Sequence, residues 1–355
     1  MAYNILGVNT GFHGSASLIS NGELVYYLEE ERLSKIKKDS YPFKVLLDIL
    51  NKFSIDEIVI AGTNYPIDIL NFTGEELFTT FLKKFFPNIP YSYLYSEHHF
   101  CHASSAFYNS GFDKALSIVI DGQGSRKEIK INDQNLQGDE VESAFLCSYK
   151  EDIKKIHGVY LNSNYTFLES KDSIIKNSIS IGKSYEAITE HLGWHANEGG
   201  KTMGLSSYGE DKINSNNFFN LFSLKTSFPH LPNFKFSSNL KNQSPENIAS
   251  SIQLKTEKLV EQYILKIIQK TNLDNICCSG GYFLNCVNNY KLIKKFSNIN
   301  FYFEPRAHDG GLSVGAALYK WQQFSKNNIP LPTPSLYNGP QYSKKQLLKG
   351  IKKYV

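Results

Sequence analysis

Two histidines four residues apart are the first candidates for chemistry in this sequence. His98 and His102 lie in the stretch Ser-Glu-His-His-Phe-Cys-His-Ala, and on a helix their imidazoles would occupy one face, one turn apart. Asp121 follows the apolar run 115–120, where a buried strand is expected to end. Two imidazoles and a carboxylate suit a divalent metal, and a site with open positions suits Fe(II) better than a closed structural zinc. The alternative is that the histidines only line or cap a helix.

Glycine-rich turns at the ends of several apolar runs are candidate sites for phosphate oxygens. Exposed amides in such turns, and the N-terminus of a following helix, attract anions. One of these segments, 198–209, also carries a lysine, although it lacks the spacing of a Walker A loop. The residues predicted to hold a nucleotide in this way are Gly11, Gly122, Gly124, Lys201, Gly280, Gly281 and Asn285. The alternative for each segment is an ordinary tight or flexible turn.

A single aspartate and a run of charged residues lie near the ends of predicted strands. Asp309 follows the last strand and precedes a helix of small residues, where it is a second candidate carboxylate; a helix N-cap is its alternative role. The run Glu-Glu-Glu-Arg at 29–32 is interpreted as a solvated strand end.

Length and composition limit the class of protein. The 355 residues, 41% hydrophobic and 20% charged, are enough for two lobes with separate cores. No apolar run is long enough to cross a membrane and the N-terminus does not resemble a signal peptide, so a cytoplasmic location is expected. The five cysteines are predicted to be reduced core residues. The net charge of +4 is dispersed, which makes nucleic acid an improbable partner.

The order of predicted elements indicates an α/β chain with an internal repeat. The chain opens as a strand meander, with an Asn-Gly hairpin signal at 21–22. The run Ile5–Gly11 is similar to Ile118–Gly124, because in both an apolar strand ends on a polar residue and small turn residues. Such a repeat predicts two lobes with a nucleotide cleft between them. The expected divisions are residues 1–112 and 113–330, with an irregular insertion near 125–158, and then 331–355 as a linker or the start of another domain.

Taken together, these motifs resemble the carbamoyltransferase family that includes nodulation-factor and aminoglycoside-antibiotic O-carbamoyltransferases. The matching blocks, in the family's order, are Gly-Phe-His-Gly-Ser-Ala at 11–16, Glu-Glu-Glu-Arg-Leu-Ser at 29–34, His-His-Phe-Cys-His-Ala at 98–103, Asp-Gly-Gln-Gly at 121–124, Gly-Lys-Thr-Met-Gly-Leu at 200–205, Ser-Gly-Gly-Tyr-Phe-Leu-Asn-Cys at 279–286 and Asp-Gly-Gly at 309–311. The resemblance implies the two-lobed actin-like fold, also called ASKHA, shared with the sugar kinases and the transferase subunit of tRNA threonylcarbamoyl-adenosine synthesis.

The resemblance also implies a ligand set and a reaction. It implies iron, Fe(2+), held by His98, His102, Asp121 and Asp309, and carbamoyl-adenylate (carbamoyl-AMP) in the interlobe cleft. The expected reaction moves the carbamoyl group to a hydroxyl of a small-molecule acceptor. His13 matches a histidine near the reacting group, and its ordinary pKa near neutrality makes it the candidate general base.

Family members continue into a YrdC-like domain that makes carbamoyl-adenylate from ATP and carbamoyl phosphate, whereas this sequence ends soon after the block 337–343. Either the sequence is incomplete, or a separate protein supplies that domain, or the chain uses a nucleotide differently. Two rival functions remain: a non-catalytic actin-like nucleotide-binding subunit, which has no need for the histidines and aspartates, and a sugar-kinase-like phosphotransferase, which leaves them unexplained.

Overall fold

The computed structural model describes residues 2–62, 74–162, 164–165, 167–177, 180–213, 219–220, 235–236, 240, 242–326, 329–331, 334–339 and 342–352. The first lobe is built on a five-stranded sheet. Its strands β1 to β5 are Asn4–Asn9, Ser15–Ser20, Glu23–Glu29, Glu57–Ala61 and Tyr91–Tyr93. Their order is β3-β2-β1-β4-β5, with an antiparallel meander on one side of β1 and two parallel strands on the other. Asn21 and Gly22 both have positive φ, 49° and 91°, as an Asn-Gly hairpin requires.

The second lobe repeats this arrangement around an eight-stranded sheet. Its strands are β6 Lys114–Ile120, β7 Arg126–Ile131, β8 Gln134–Ser148, β9 Asp152–Leu161, β10 Phe167–Glu169, β11 Ser173–Lys176, β14 Asn275–Ser279 and β15 Asn300–Phe303, while β12 Phe219–Asn220 and β13 Lys235–Phe236 pair separately. The central order β9-β8-β6-β14-β15 has the same strand directions as β3-β2-β1-β4-β5. Strands β1 and β6 are therefore equivalent, and the predicted two-lobed actin-like α/β fold is confirmed.

Helices cover both sheets and separate them. The α-helices among the described residues are α1 Glu31–Ser34, α2 Phe43–Leu50, α3 Gly74–Phe85, α4 His98–Ser110, α5 Ile181–His191, α6 Gly199–Ser206, α7 Pro245–Thr271, α8 Cys286–Lys295, α9 Leu312–Ser325 and α10 Lys344–Ile351. Helices α2 and α3 pack on the outer face of the first sheet, and α5 and α7 pack on the outer face of the second. Helices α4 and α9 lie between the sheets and contact each other.

Alternation of side chains along the central strands produces these layers. On β6, Leu116, Ile118 and Ile120 face the outer core, whereas Ala115 and Val119 face the layer between the sheets. Successive side chains of a strand point to opposite faces, so a strand buried on both faces is apolar throughout. The result places α4 in a fully enclosed position, where eleven of its thirteen residues are buried.

The contact between α4 and α9 depends on a glycine. A Cβ atom added to Gly315 would lie 1.9 Å from the carbonyl oxygen of Cys101, which is a backbone atom of α4. Gly7 has the same function on β1, since its Cβ would lie 2.0 Å from the carbonyl oxygen of Ser313 in α9. These two glycines let the backbones approach closely, and they fix the position of α4 relative to both sheets.

We expect Gly315→Ala to lower the free energy of unfolding by about 1–3 kcal/mol, because the added methyl group forces α4 and α9 apart. Urea denaturation followed by circular dichroism measures the change. Gly204→Ala is the matched control, since Gly204 lies in α6 and its Cβ would contact nothing within 4 Å. That variant should be neutral or stabilised by about 0.5–1 kcal/mol. Equal destabilisation of both variants would contradict the packing argument.

The stretch 125–158 corrects one expectation. It was predicted to be irregular, but β7, β8 and most of β9 occupy it. Asn132 and Asp133 form the turn between β7 and β8, both with positive φ (49° and 62°). Polar residues alternate with buried apolar ones in β7, and the charged residues of this edge concealed the pattern of a strand with one solvated face. Among the helices that the structure describes, none has an apolar stretch long enough to span a bilayer.

Candidate functional site

The ends of three strands and the start of one helix meet at one point. Asp121 directly follows β6, and Gly281 follows β14 after one residue. Asp309 begins a short 3-10 turn after β15, and His98 is the first residue of α4. Ligands of open α/β sheets bind outside the carboxyl ends of the strands, and the predicted metal ligands lie in that region.

The four predicted metal ligands form one cluster. Their ligand atoms all lie within 4.8 Å of one another. Nε2 of His98 is 3.3 Å from Oδ2 of Asp121 and 3.7 Å from Oδ1 of Asp309, and Nε2 of His102 is also 3.7 Å from Oδ1 of Asp309. Both imidazoles are fully buried. The structure therefore brings together the two histidines of α4 and two aspartates that are 188 residues apart in the sequence.

The hydrogen bonds around the histidines fit a metal site. Nδ1 of His98 donates to the carbonyl oxygen of Gly62 at 3.3 Å, and Nε2 is the ring nitrogen that faces the carboxylates. Nδ1 of His102 lies 3.2 Å from Oγ of Ser279. Within the part of the chain that the structure describes, Nε2 of His102 is buried without a hydrogen-bond partner. Such an atom is costly unless it binds something, and hydrogen bonds to the second ring nitrogen are characteristic of metal-binding histidines.

Charges within the cluster depend on each other. Burial alone would lower the pKa of His98, but the nearby Asp309 and Asp121 raise it to about 9. Burial would raise the pKa of Asp121, whereas the hydrogen bond with His98 and the charge of His102 bring it below its ordinary value. Two carboxylates thus stay ionised in a buried site, and a divalent cation would neutralise both.

The side chain of His99 does not join the cluster that contains His98 and His102. Its Nδ1 lies 2.8 Å from Oγ of Ser143, and burial lowers its pKa well below the ordinary value. Gly124 packs against it, since a Cβ on that glycine would lie 2.6 Å from the imidazole. Helical geometry explains the difference, because His99 points 100° away from His98 and faces β8.

A cleft of about 640 Å³ opens beside the cluster. Among the predicted residues, those on its wall are His13, Asp121, Asp309, Gly122, Gly281 and Asn285. The amide of Gly281 donates to Oδ1 of Asp121 at 2.9 Å, which holds this carboxylate in place. Asn285 caps α8 by accepting a hydrogen bond from the amide of Asn288 at 3.0 Å.

The other residues predicted to bind a nucleotide lie next to the cleft and not on its wall. Gly11 donates to Oδ1 of Asn9 within its turn. Gly280 has φ 93°, and its Cβ would lie 2.3 Å from the carbonyl oxygen of Ile120. It shapes the turn that presents Gly281. Gly124 packs on His99, as described above.

Lys201 is the clearest departure from expectation. Its ammonium pairs with Glu198 at 2.6 Å, and about half of its side chain is exposed. Gly199, Gly200 and Met203 of the same segment face the cleft instead. The segment 199–206 is a helix and not a glycine-rich loop, so its periodicity turns Lys201 outward.

Several residues of the site are not among those predicted from the sequence. Lys183 and Glu186 of α5 line the cleft and form an ion pair at 2.9 Å. Burial raises the pKa of Glu186, and the charge of Lys183 offsets part of that increase. Lys38 also lines the cleft, and burial lowers its pKa. The only signal in the sequence for Lys183 and Glu186 was their spacing of three residues along the helix.

Comparison with known proteins gives relatives of the whole chain. An uncharacterized protein of Synechocystis sp. is 28% identical over 98% of this chain and 63% of its own length. Nodulation protein NolNO of Sinorhizobium fredii is 23% identical over 94% of this chain and 50% of its own length. The chain thus spans about half to two thirds of the length of these relatives.

The solved structures include the same fold. Full-length HypF in a phosphate- and nucleotide-bound form superimposes with a TM-score of 0.53, at 14% identity, over 94% of this chain and 56% of that one. A family model described as carbamoyltransferase N-terminus matches residues 44–318, which include α4, the strand ends and both aspartates of the cluster. The chain therefore belongs to the carbamoyltransferase family, whose N-terminal domain it matches.

Proposed function

We propose that this chain is the transfer domain of an O-carbamoyltransferase. It would move a carbamoyl group from carbamoyl-adenylate, made from ATP and carbamoyl phosphate, to a hydroxyl of a small-molecule acceptor. The observation that carries this proposal is the buried His98, His102, Asp121 and Asp309 cluster, which adjoins the same cleft as His13. Family membership supports the reaction class.

The cluster would hold a divalent transition metal, with iron first and zinc or manganese second. His98, His102, Asp121 and Asp309 would be its protein ligands, and the buried Nε2 of His102, which has no hydrogen-bond partner among the described residues, supports that assignment. When bound, the metal supplies a positive centre that anchors phosphate or polarises the carbamoyl carbonyl.

The remaining residues of the cleft would bind and orient the adenylate. Lys38 and Lys183 line the cleft, and their ammonium groups would suit the phosphate. HypF has been solved in a phosphate- and nucleotide-bound form, and we extend nucleotide binding to this chain as part of the proposal. Orientation matters because the adenylate is already activated, and holding both reactants in place removes much of the barrier.

His13 would accept the proton in the chemical step. The acceptor oxygen attacks the carbamoyl carbon while its proton moves to Nε2 of His13. The bond from the carbamoyl carbon to the phosphate oxygen then breaks, and AMP leaves with that electron pair. The products are the carbamate ester, AMP and a protonated imidazole, which returns its proton to solvent.

Reconstitution tests the proposal. We expect the chain alone to make no carbamoylated product from ATP and carbamoyl phosphate, and to make it when a YrdC-like protein supplies carbamoyl-adenylate. The readout is mass spectrometry of the products from a panel of hydroxyl acceptors, with AMP release followed in parallel. Product from the chain alone would contradict this division of labour. Transfer of the γ-phosphate to the acceptor would favour a phosphotransferase, and nucleotide binding without metal or turnover would favour a binding subunit.

A further inference from the structure

The side chain of Glu29 lies under His13, at the end of β3. Only 12% of that side chain is exposed. Its Oε2 is 3.3 Å from Nδ1 of His13, and its Oε1 is 3.5 Å from Nε2 of His308. The hydroxyl of Tyr27 donates to the same Oε1 at 3.2 Å. Glu29 was interpreted as part of a solvated run, but its two carboxylate oxygens each face one histidine of the cleft.

The backbone of His13 is held in a strained conformation. Its φ is 55°, in the left-handed region that residues with a side chain rarely adopt. The turn is fixed because Nδ2 of Asn9 donates to the carbonyl oxygens of Phe12 at 2.8 Å and Asp309 at 3.0 Å. The conformation brings the imidazole over Glu29 and against the ring of His308, with ring centroids 4.4 Å apart.

Hydrogen bonding assigns the proton positions around Glu29. The amide of Gly310 donates to Nδ1 of His308 at 3.0 Å, so His308 carries its proton on Nε2, which faces Glu29. The pKa of Glu29 would rise through burial, but the hydrogen bond from His13 and the proximity of His308 hold it below the ordinary value. A carboxylate can only accept hydrogen bonds. Nδ1 of His13 must therefore donate, which leaves the lone pair on Nε2.

We propose that Glu29 is the positioning residue that keeps His13 in the tautomer with Nδ1 protonated and Nε2 free to accept a proton. The inference rests on the proposed function for its catalytic consequence, but the tautomer itself is a property of the free protein. In other enzymes, too, a buried carboxylate orients the histidine that acts as a base. The neighbouring Arg306 pairs with a different carboxylate, since its Nε donates to Oε1 of Glu304 at 2.9 Å.

The test measures the tautomer directly. Long-range ¹H–¹⁵N spectra of the imidazoles are recorded on the full chain at alkaline pH, where a free imidazole is neutral, and His13→Asn identifies the signals of His13. We expect the Nδ1-protonated tautomer in the unmodified protein. In Glu29→Gln the amide can donate to Nδ1, so the population should move toward the Nε2-protonated form. Glu29→Asp retains a carboxylate and should keep the original tautomer.

The adjacent Glu30 provides a matched control. It is also buried, but its carboxylate accepts from the amides of Lys44 and Val45 at the start of α2. Glu30→Gln should change stability and leave the His13 tautomer and kcat unaltered. In the reconstituted transfer assay, Glu29→Gln should lower kcat by about 10²–10⁴-fold with little change in KM, and Glu29→Asp should restore part of the rate.

Four outcomes decide the inference. An Nε2-protonated His13 in the unmodified protein, or a tautomer unaffected by Glu29→Gln, would overturn it. Zinc bound between His13, Glu29 and His308, whose ligand atoms lie within 4.8 Å of one another, would also overturn it; loss of one equivalent of Zn²⁺ in Glu29→Gln would reveal that site. A tautomer shift with no transfer by the unmodified protein would support the positioning of His13 and reject the proposed reaction.

Discussion

Replacing His98 and His102 together by alanine is expected to remove the bound metal from the purified protein. The change deletes both proposed nitrogen ligands and leaves two carboxylates, the buried Asp121 and the partly exposed Asp309. Loss of a residue that merely orients a ligand costs roughly 10–100-fold in metal affinity, so loss of two ligands should exceed that. Elemental analysis of the protein after gel filtration measures the metal content, and we expect about one equivalent of iron, zinc or manganese in the unmodified chain.

The same helix supplies the control for this prediction. His99 lies between the two ligands in the sequence, is equally buried and faces Ser143. His99→Ala should therefore destabilise the fold without removing the metal. Unchanged metal content in the double variant would show that the site is wrongly located. Equal loss in His99→Ala and in the double variant would indicate that unfolding, and not ligation, is being measured.

Spacing and periodicity in the sequence predicted three members of the cluster and the duplicated fold, whereas Asp309 was expected as the fourth ligand from the family resemblance. The spacing of four residues places His98 and His102 on the same face of a helix. The apolar run before Asp121 places this aspartate at the end of a buried strand. The similarity of Ile5–Gly11 to Ile118–Gly124 correctly predicted that β1 and β6 are equivalent central strands. These features are local, so they can be recognised without knowledge of the tertiary structure.

The remaining site residues depend on tertiary contacts. Glu29 and Glu30 occur in a charged run, and only the fold shows that one faces two histidines while the other caps α2. Lys201 occurs in a glycine-rich segment, and only the helix assignment shows that it points outward. Charge and glycine content report local preference, whereas burial is decided by distant partners. A glutamate beside a histidine turn is thus invisible to pattern analysis.

Side-chain hydrogen bonds link the turn of His13, the proposed base, to the turn of Asp309, a proposed metal ligand. Asn9 joins the turn of His13 to the carbonyl oxygen of Asp309, and Oγ of Ser15 donates to the carbonyl oxygen of Gly310 at 2.7 Å. Both turns therefore keep their relative position even though they are almost 300 residues apart in the sequence. A reaction that needs a base and an anchored carbonyl in register benefits from such a rigid connection.

His13→Asn should lower kcat for carbamoyl transfer by about 10²–10⁴-fold, which is the usual effect of removing a general base. Asparagine suits this position because it tolerates the left-handed conformation that His13 adopts at φ 55°. The turn should therefore survive, and only the proton acceptor is lost. The rate is measured with carbamoyl-adenylate supplied by a YrdC-like partner, so that adenylate formation does not limit it.

Two measurements separate loss of the base from loss of the site. Metal content should equal that of the unmodified protein, because His13 is not among the four clustered ligands. The affinity for AMP, measured by calorimetry, should also be retained, because His13 acts on the acceptor hydroxyl and not on the nucleotide. The partner should still form adenylate at its normal rate. A His13→Asn protein that transfers carbamoyl at the unmodified rate would assign proton removal to another group, and the inference on Glu29 would then lose its catalytic consequence while the tautomer remained measurable.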